Sequence, residues 1–526
     1  MYENHKPLKV NIISDIHYYS KETGVTGKAF EKENAKTPND LFNCEKILAS
    51  LMDQLAKDEP EIVLVSGDIT TKAEREAHEG AIELLRSLKA RGKRVYVITA
   101  THDYHDGDIT RKFVGDEVVS VPSVKREELY GMYREFGPDE ALAVHEDSMS
   151  YVVQLCDGYR HFALNDDRNH KGASGFSDDL WSWIEAQIAD AKANGQFIVP
   201  MTHHPMLSPS PFYKVIGGGN IMGEAERRID EFTELGLNYM FTGHTHMQDI
   251  SYKYTDNGKI FYDITTAAPV GYPGTFRSVT FDPKNGIIDI KAVDAECEIG
   301  GSKLLDHLAD KFFGMIGRVI DAAATDIPLL AKMVTAFSVK EELIYKIGWI
   351  IRPFAKLLRK LTIGHVAALC KKESGVKKSD IKDIKDRRVV DFIISLVTNL
   401  YGGDSPYSPE TPEYKITMGL LSIVDSILNL FGVKLGKILK CVDSAQALVE
   451  PLLYNSGICD ANAVLHLWDN LPEKQENITN YIKSKKALPV VISAALIVIL
   501  FLPVILLWLG IGFVVNEIKY GKKAKK

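Results

Sequence analysis

Asp15-Ile16-His17, Gly67-Asp68, Thr101-His102-Asp103, His203-His204-Pro205 and Gly243-His244-Thr245-His246 follow one another along the chain. Carboxylates and imidazoles in this mixture are ligands for hard and borderline divalent cations. A dinuclear centre needs a carboxylate that can bridge, with nitrogen and oxygen donors that leave room for water and substrate. Two cations roughly 3.5–4 Å apart can clamp the attacking and leaving oxygens of an in-line displacement. In Asp-x-His and Gly-His-x-His the two donors are two residues apart, so both leave an extended strand end from one face. The glycine of Gly-His-x-His lets the backbone turn tightly beside a metal. Singly, an Asp-x-His or a Gly-Asp is common; the ordered set of five is what carries meaning.

Short apolar runs precede these motifs and position them. Residues 10–13 lead to Asp15, 62–65 to Gly67 and 95–98 to Thr101; 197–199 lie just before His203 and 239–241 just before Gly243. Loops that follow successive strands converge at one rim of a sheet, where open α/β sheets bind ligands. Helical patterns over 39–55, 74–90, 125–136, 178–193 and 223–235 alternate with these runs, as in α/β proteins. After Gly243 the pattern changes to hairpins. Residues 250–254 and 260–264 flank Asp256-Asn257-Gly258, and 277–281 and 287–293 flank Pro283-Lys284-Asn285-Gly286. A first domain is therefore expected over residues 1–298. Two polar insertions, 18–38 and 104–123, sit beside the motifs and read as lids or specificity loops or as ordinary solvated loops. His105 and His204 are expected as substrate contacts or as supports of the ligands, not as ligands themselves. Asp166, Asp167, Arg168 and His170 follow another strand, from which they could reach the pocket, and are expected at the solvent before that.

The order and spacing of the five motifs resemble the calcineurin-like metallophosphoesterase superfamily, with its D-x-H, G-D, G-N-H-D, a later His and G-H-x-H. The likeness covers residues 8–295 and runs towards bacterial cyclic-nucleotide-phosphodiesterase-like members. It implies a four-layer β-sandwich flanked by helices, holding two divalent ions, Mn, Fe or Zn. Asp15, His17 and His246 would hold one ion, Asp68 would bridge, and His203 and His244 would hold the second. His102 would stabilise the transition state or protonate the leaving oxygen, oriented by Asp103. A hydroxide between the metals would be the nucleophile. The chain departs from the pattern at one place: Ala100-Thr101-His102-Asp103 has Thr101 where the family has an Asn carbonyl on the second metal. A Thr hydroxyl is one atom shorter and a weaker ligand, so the second site is the one put in question.

At 526 residues the chain is long for one domain. Its net charge of −7 gives no basic footprint for nucleic acid. Six cysteines without framework spacing read as reduced thiols. Residues 302–472 read as an α-helical domain, possible partners of its apolar faces being its own core or a membrane surface. Within it 344–361 is basic and amphipathic, and 418–439 is a second amphipathic stretch. Residues 487–515 lack any charge and exceed the ~20 residues that span a bilayer, so a transmembrane anchor is expected there, followed by a basic tail over 516–526. No signal peptide is expected before the first strand, and lysines flank both ends of the apolar stretch, so the catalytic domain is expected on the cytoplasmic side.

These features point to a membrane-anchored, metal-dependent enzyme hydrolysing phosphate esters, phosphodiesters before others. A phosphomonoesterase or lipid-phosphoester hydrolase is the second reading. A non-catalytic membrane scaffold on a degenerate phosphoesterase fold is the reading from another class.

Overall fold

The computed structural model describes residues 2–168, 174–211, 213, 221–334, 341–403, 405–430, 432, 434–439, 442–454 and 458–467. The expected anchor (487–515), the basic tail, His170 and Cys441 lie outside these residues. Among the described residues no helix is long and apolar enough to cross a membrane.

Two sheets form the body. The first has six strands, in the spatial order Asn462–His466, Ile287–Asp294, Thr275–Asp282, Leu8–Ile13, Ile62–Ser66 and Arg94–Ile98. The last three run parallel, and the others pair antiparallel. The second has seven strands, in the order Asp249–Tyr254, Ile260–Thr265, Tyr239–Thr242, Phe197–Met201, Tyr159–Ala163, Ser150–Cys156 and Ala143–His145. Its four central strands are parallel.

Alternation along the parallel strands explains why they read as unbroken apolar runs. Val10, Ile12, Ile62, Leu64, Tyr96 and Ile98 face inward to a core shared with Val199, Met201, Tyr239 and Phe241 of the second sheet. Their neighbours Ile13, Val63, Val65, Val95 and Val97 face outward, onto helices Cys44–Lys57 and Arg75–Ala90. The second sheet is covered in turn by helices Asp178–Ala193 and Ala225–Glu234, through Leu180, Ile184, Ile229 and Phe232. A strand buried on both faces has no polar side to show. The layers are thus helix, sheet, sheet, helix, a mixed α/β arrangement. Both expected hairpins are present, as Asp249–Tyr254 with Ile260–Thr265 and Thr275–Asp282 with Ile287–Asp294.

The two insertions are not free loops. Lys28–Asn34 is a helix whose Phe30 is buried, and Arg111–Val114 with Glu117–Ser120 is a hairpin. They pack on each other through Phe30 and Phe113, with ring centroids 5.8 Å apart, and Asp116 accepts from the Lys28 amide.

After Lys303 the chain is helical, beginning with Leu304–Thr325 and ending with Ala445–Leu453, around three small cores of its own. The amphipathic stretch over 418–439 is divided between two helices, Pro412–Leu430 and Leu435–Leu439, with Gly432 in a left-handed conformation between them. Helix Glu341–Leu358 buries only Ile344, Gly348 and Ala355, so most of its apolar side chains are half-covered. Nor is the region wholly helical. Asn462–His466 returns to the first sheet and pairs with Ile287–Asp294, with Leu465 opposite Ile288 in the shared core. Just before it, the Asp460 carboxylate accepts from the Ile250 amide. The buried Arg277 guanidinium donates to the carbonyls of Thr265, Asp249 and Asp460. This strand makes residues well beyond 298 part of the first sheet.

Leu465→Ala should therefore lower stability of the two-sheet body by about 2–5 kcal/mol, the usual cost of truncating a buried Leu. Urea unfolding followed by fluorescence checks this. An unchanged midpoint would mean that the strand contributes nothing to the core.

Candidate functional site

The first, second and third strands of the parallel set end in loops that are zipped together by main-chain hydrogen bonds. The amide of Asp15 donates to the Gly67 carbonyl (3.1 Å), that of His17 to Asp68 (3.0 Å) and that of Ala73 to His102 (2.9 Å). On the second sheet the Gly243 amide donates to the His203 carbonyl (2.9 Å). The two sheets are joined at this rim by the His244 amide, which donates to the Asp15 carboxylate at 2.9 Å.

Asp15, His17, Asp68, His244 and His246 all have positive φ, between 39° and 68°. They make up five of the eight non-glycine residues with such backbone among the described residues. Left-handed backbone costs an L-residue about 1–2 kcal/mol, and strain of this kind clusters where the surroundings over-determine the geometry. Two glycines permit the close approach. A Cβ on Gly243 would collide with Ser14 Oγ and with the Asp15 carboxylate, and one on Gly67 would lie 2.8 Å from His203 Nδ1.

The result is four overlapping groups whose donor atoms lie within 4.8 Å of one another: Asp15, His17 and His246; Asp15, Asp68 and His203; His17, Asp68 and His102; and His203, His204 and His244. Nε2 of His17 faces Nε2 of His246 at 2.9 Å, and His203 Nε2 is 3.2 Å from Asp68 Oδ2 and 3.3 Å from His244 Nδ1. Three of the rings have their Nδ1 engaged. His17 Nδ1–H donates to the Thr70 carbonyl (3.1 Å), His203 Nδ1–H to Ser66 (2.7 Å) and His102 Nδ1–H to Thr71 (2.6 Å). Such bonds fix the tautomer and leave Nε2 for a cation.

The electrostatics also suit a cation. Burial pushes the Asp68 carboxyl up, but His203 and His102 outweigh it and hold it well below the usual carboxylate range. Asp15 is likewise held down against its burial by His246 and His203. Burial opposes a charge on His203, yet the Asp68 and Asp15 carboxylates push it up to about 10. His17, desolvated and beside His246, falls to about 3. Two buried carboxylates thus retain a positive partner, a place that a divalent ion fills by displacing the proton. The donor set fits a pair of such ions.

Of the expected residues, Asp15, His17, Asp68, His203, His244, His246 and His102 are brought together. Thr101 is exposed on the third loop. His105 is exposed too, its Nδ1 accepting from the Gly107 amide of its own loop. Asp103 does not orient the His102 ring. Its carboxylate accepts from the amides of Thr70 and Ala100, both at 2.8 Å, and so binds the second loop to the third. His204 is buried and stands beside His244, ring centroids 4.3 Å apart. Asp166 and Asp167 are buried, not solvent-facing. Asp166 accepts from the amides of His203 and His204 and from the His204 ring; Asp167 receives Arg126. Asp263, also unforeseen, accepts from the Met206 and Leu207 amides, and so holds the loop after His203. Both had a signal in the sequence: Asp166 follows an apolar run, as the motifs do, and Asp263 is a lone carboxylate inside one.

Residues 8–248 match the family model described as Calcineurin-like phosphoesterase. No curated protein matches the chain. Among solved structures, a dimetal phosphatase from Danio rerio is similar at 12% identity, over 55% of this chain and 97% of that one, with a TM-score of 0.39. A purple acid phosphatase, PPD1, from yellow lupin (Lupinus luteus) seeds is similar at 12% identity, over 56% of this chain and 52% of that one, with a TM-score of 0.35. The stretch that carries all five motifs is matched whole by this family model, so this part of the chain is similar to the calcineurin-like phosphoesterases, and the protein is a hydrolase acting on phosphate esters.

Proposed function

We propose that the protein is a two-metal phosphodiesterase attached to a membrane. The observation that carries the metal part is the convergence of two carboxylates and six imidazoles, from five loops on two sheets, into overlapping groups whose donor atoms lie within 4.8 Å of one another. Asp15, His17 and His246 are assigned to one ion, Asp68 to both, and His203 and His244 to the other. Bound there, divalent cations supply Lewis acidity towards a phosphoryl oxygen and lower the pKa of water. The chain's own residues fix the geometry: the Thr70 and Ser66 carbonyls orient His17 and His203, and the His244 amide orients Asp15. His102 stands at the exposed rim, with Nδ1–H held by the Thr71 carbonyl. Its Nε2 is thereby available to a leaving oxygen, and the nearby Asp68 charge, set against desolvation, raises its pKa and favours the protonated form. A proton donor matters most for a poorly stabilised alkoxide leaving group, as in an alkyl ester of phosphate.

Asp68→Asn removes the charge that two cations would share. Hydrolysis of a generic diester should fall at least ~10²-fold and bound metal should drop; chelation of the natural protein should do the same, reversibly. Near-normal activity and metal content in the variant would sink the two-metal assignment.

His102→Ala should keep its metal and lose about 10²–10⁴-fold in rate on esters with alkyl leaving groups. The loss should be much smaller on nitrophenyl esters. Equal losses on both would remove the acid role.

The membrane part rests on residues 487–515, uncharged and longer than the ~20 residues a span needs. Deleting 487–526 should move the protein to the soluble fraction, and external protease on intact cells should spare the catalytic domain of the full chain. A domain cut from outside would place it on the other face.

A further inference from the structure

Three imidazoles, His203, His204 and His244, offer nitrogens within 4.8 Å of one another. Only two of these residues were needed for the second ion as assigned above. His204 was expected as a support or a substrate contact, yet it is buried to 4% exposure. Its ring lies 4.3 Å from that of His244 and 5.0 Å from that of His203, measured between centroids. Its Nδ1–H donates to the Asp166 carboxylate at 3.1 Å, and the same carboxylate accepts the His204 amide at 3.2 Å. Asp166 is itself fully buried. A carboxylate that grips one ring nitrogen fixes the tautomer, aims the other and raises its basicity, which is the standard support of a metal-bound histidine. Nδ1 of His244 and Nε2 of His203 already lie 3.3 Å apart, and His204 brings a third imidazole nitrogen to the same place. Thr101, the side chain the sequence offered to the second ion, is meanwhile exposed.

We infer that His204, oriented by Asp166, is a ligand of the second metal ion, beside His203 and His244 and with Asp68 bridging. This rests on the two-metal reading and deepens it. The second site is then rich in nitrogen, which selects borderline ions over Mg²⁺ or Ca²⁺. The weak Thr101 hydroxyl is not called upon.

The test compares metal binding, not turnover. Stripped full-length protein is titrated with Mn²⁺ alone by calorimetry, and the Co²⁺-loaded form is examined by visible absorption. The natural protein should bind two ions. His204→Asn keeps an amide nitrogen where Nδ1 meets Asp166 but removes Nε2. It should weaken the second ion at least about tenfold and change the Co²⁺ spectrum, and free imidazole should restore part of the affinity to His204→Ala. Asp166→Asn keeps the ring but loosens it, and should weaken the same ion about 10–100-fold. Near-ultraviolet circular dichroism of the metal-free forms reports the fold, and if His204→Asn has lost it, Asp166→Asn decides. Two ions bound with natural affinity and an unchanged Co²⁺ spectrum in the variants would overturn the inference and leave the two-metal reading intact. If the natural protein binds fewer than two ions, or His203→Ala still binds both, that reading fails and the inference with it.

Discussion

Everything at the rim depends on a backbone conformation that L-residues avoid. Asp15, His17, Asp68, His244 and His246 turn their strand ends through left-handed space. Each such residue costs about 1–2 kcal/mol relative to a relaxed loop. The cost is met by the cross-loop hydrogen bonds and by the bond from the His244 amide to Asp15, which joins one sheet to the other. The turn is also what points both donors of each His-containing pair inward. An ordinary extended exit would carry Asp15 and His17 along the strand direction and out of reach of the opposite sheet. The sheets must therefore hold their spacing firmly, and the aromatic layer between them does this, with Phe197, Tyr239, Phe241 and Phe281 in mutual ring contact.

Beneath the donors lies a layer of buried carboxylates with another task. Asp103, Asp166 and Asp263 each accept main-chain amides at the loop following a strand. A carboxylate offers about four lone-pair directions, so one side chain can tie two or more amides at once. Burial raises the Asp103 carboxyl to about 7, with the Asp68 charge adding to it. Burial also raises Asp166, but His204 more than compensates and leaves it lowered. The same residue type thus takes two protonation regimes a short distance apart, according to whether its neighbour is an anion or an imidazole.

Much of the rim was legible before any coordinates. Strand runs, ligand types and both glycines follow from local sequence, because each motif is a strand end and the apolar run before it marks the strand. The orienting partners were not legible, because they are long-range: His203 leans on Ser66, and His204 on Asp166. Proximity in the sequence was misleading for Asp103, whose bonds go to Thr70 and Ala100 and not to its neighbour His102. Asp166 was placed at the solvent, and Asp263 given no role, because a carboxylate is usually solvated, a prior that fails where amides converge. The strand Asn462–His466 was hidden for a different reason. Five residues are too few for periodicity to separate them from the helical region before them, and their partner lies in a distant part of the chain.

That late strand has a mechanical consequence. It lies at the far edge of the first sheet, three strands from Leu8–Ile13, a separation of about 14 Å at the usual strand spacing. The helices between Leu304 and Leu453 are consequently a closed excursion, fastened to the sheet where it leaves and where it returns. A pull on the chain beyond Leu467 is borne first by the ladder between Asn462–His466 and Ile287–Asp294, and the helices are bypassed. Load entering there also meets the bond from Arg277 to the Asp460 carbonyl before it can reach Leu8–Ile13, the strand that leads to Asp15 and His17.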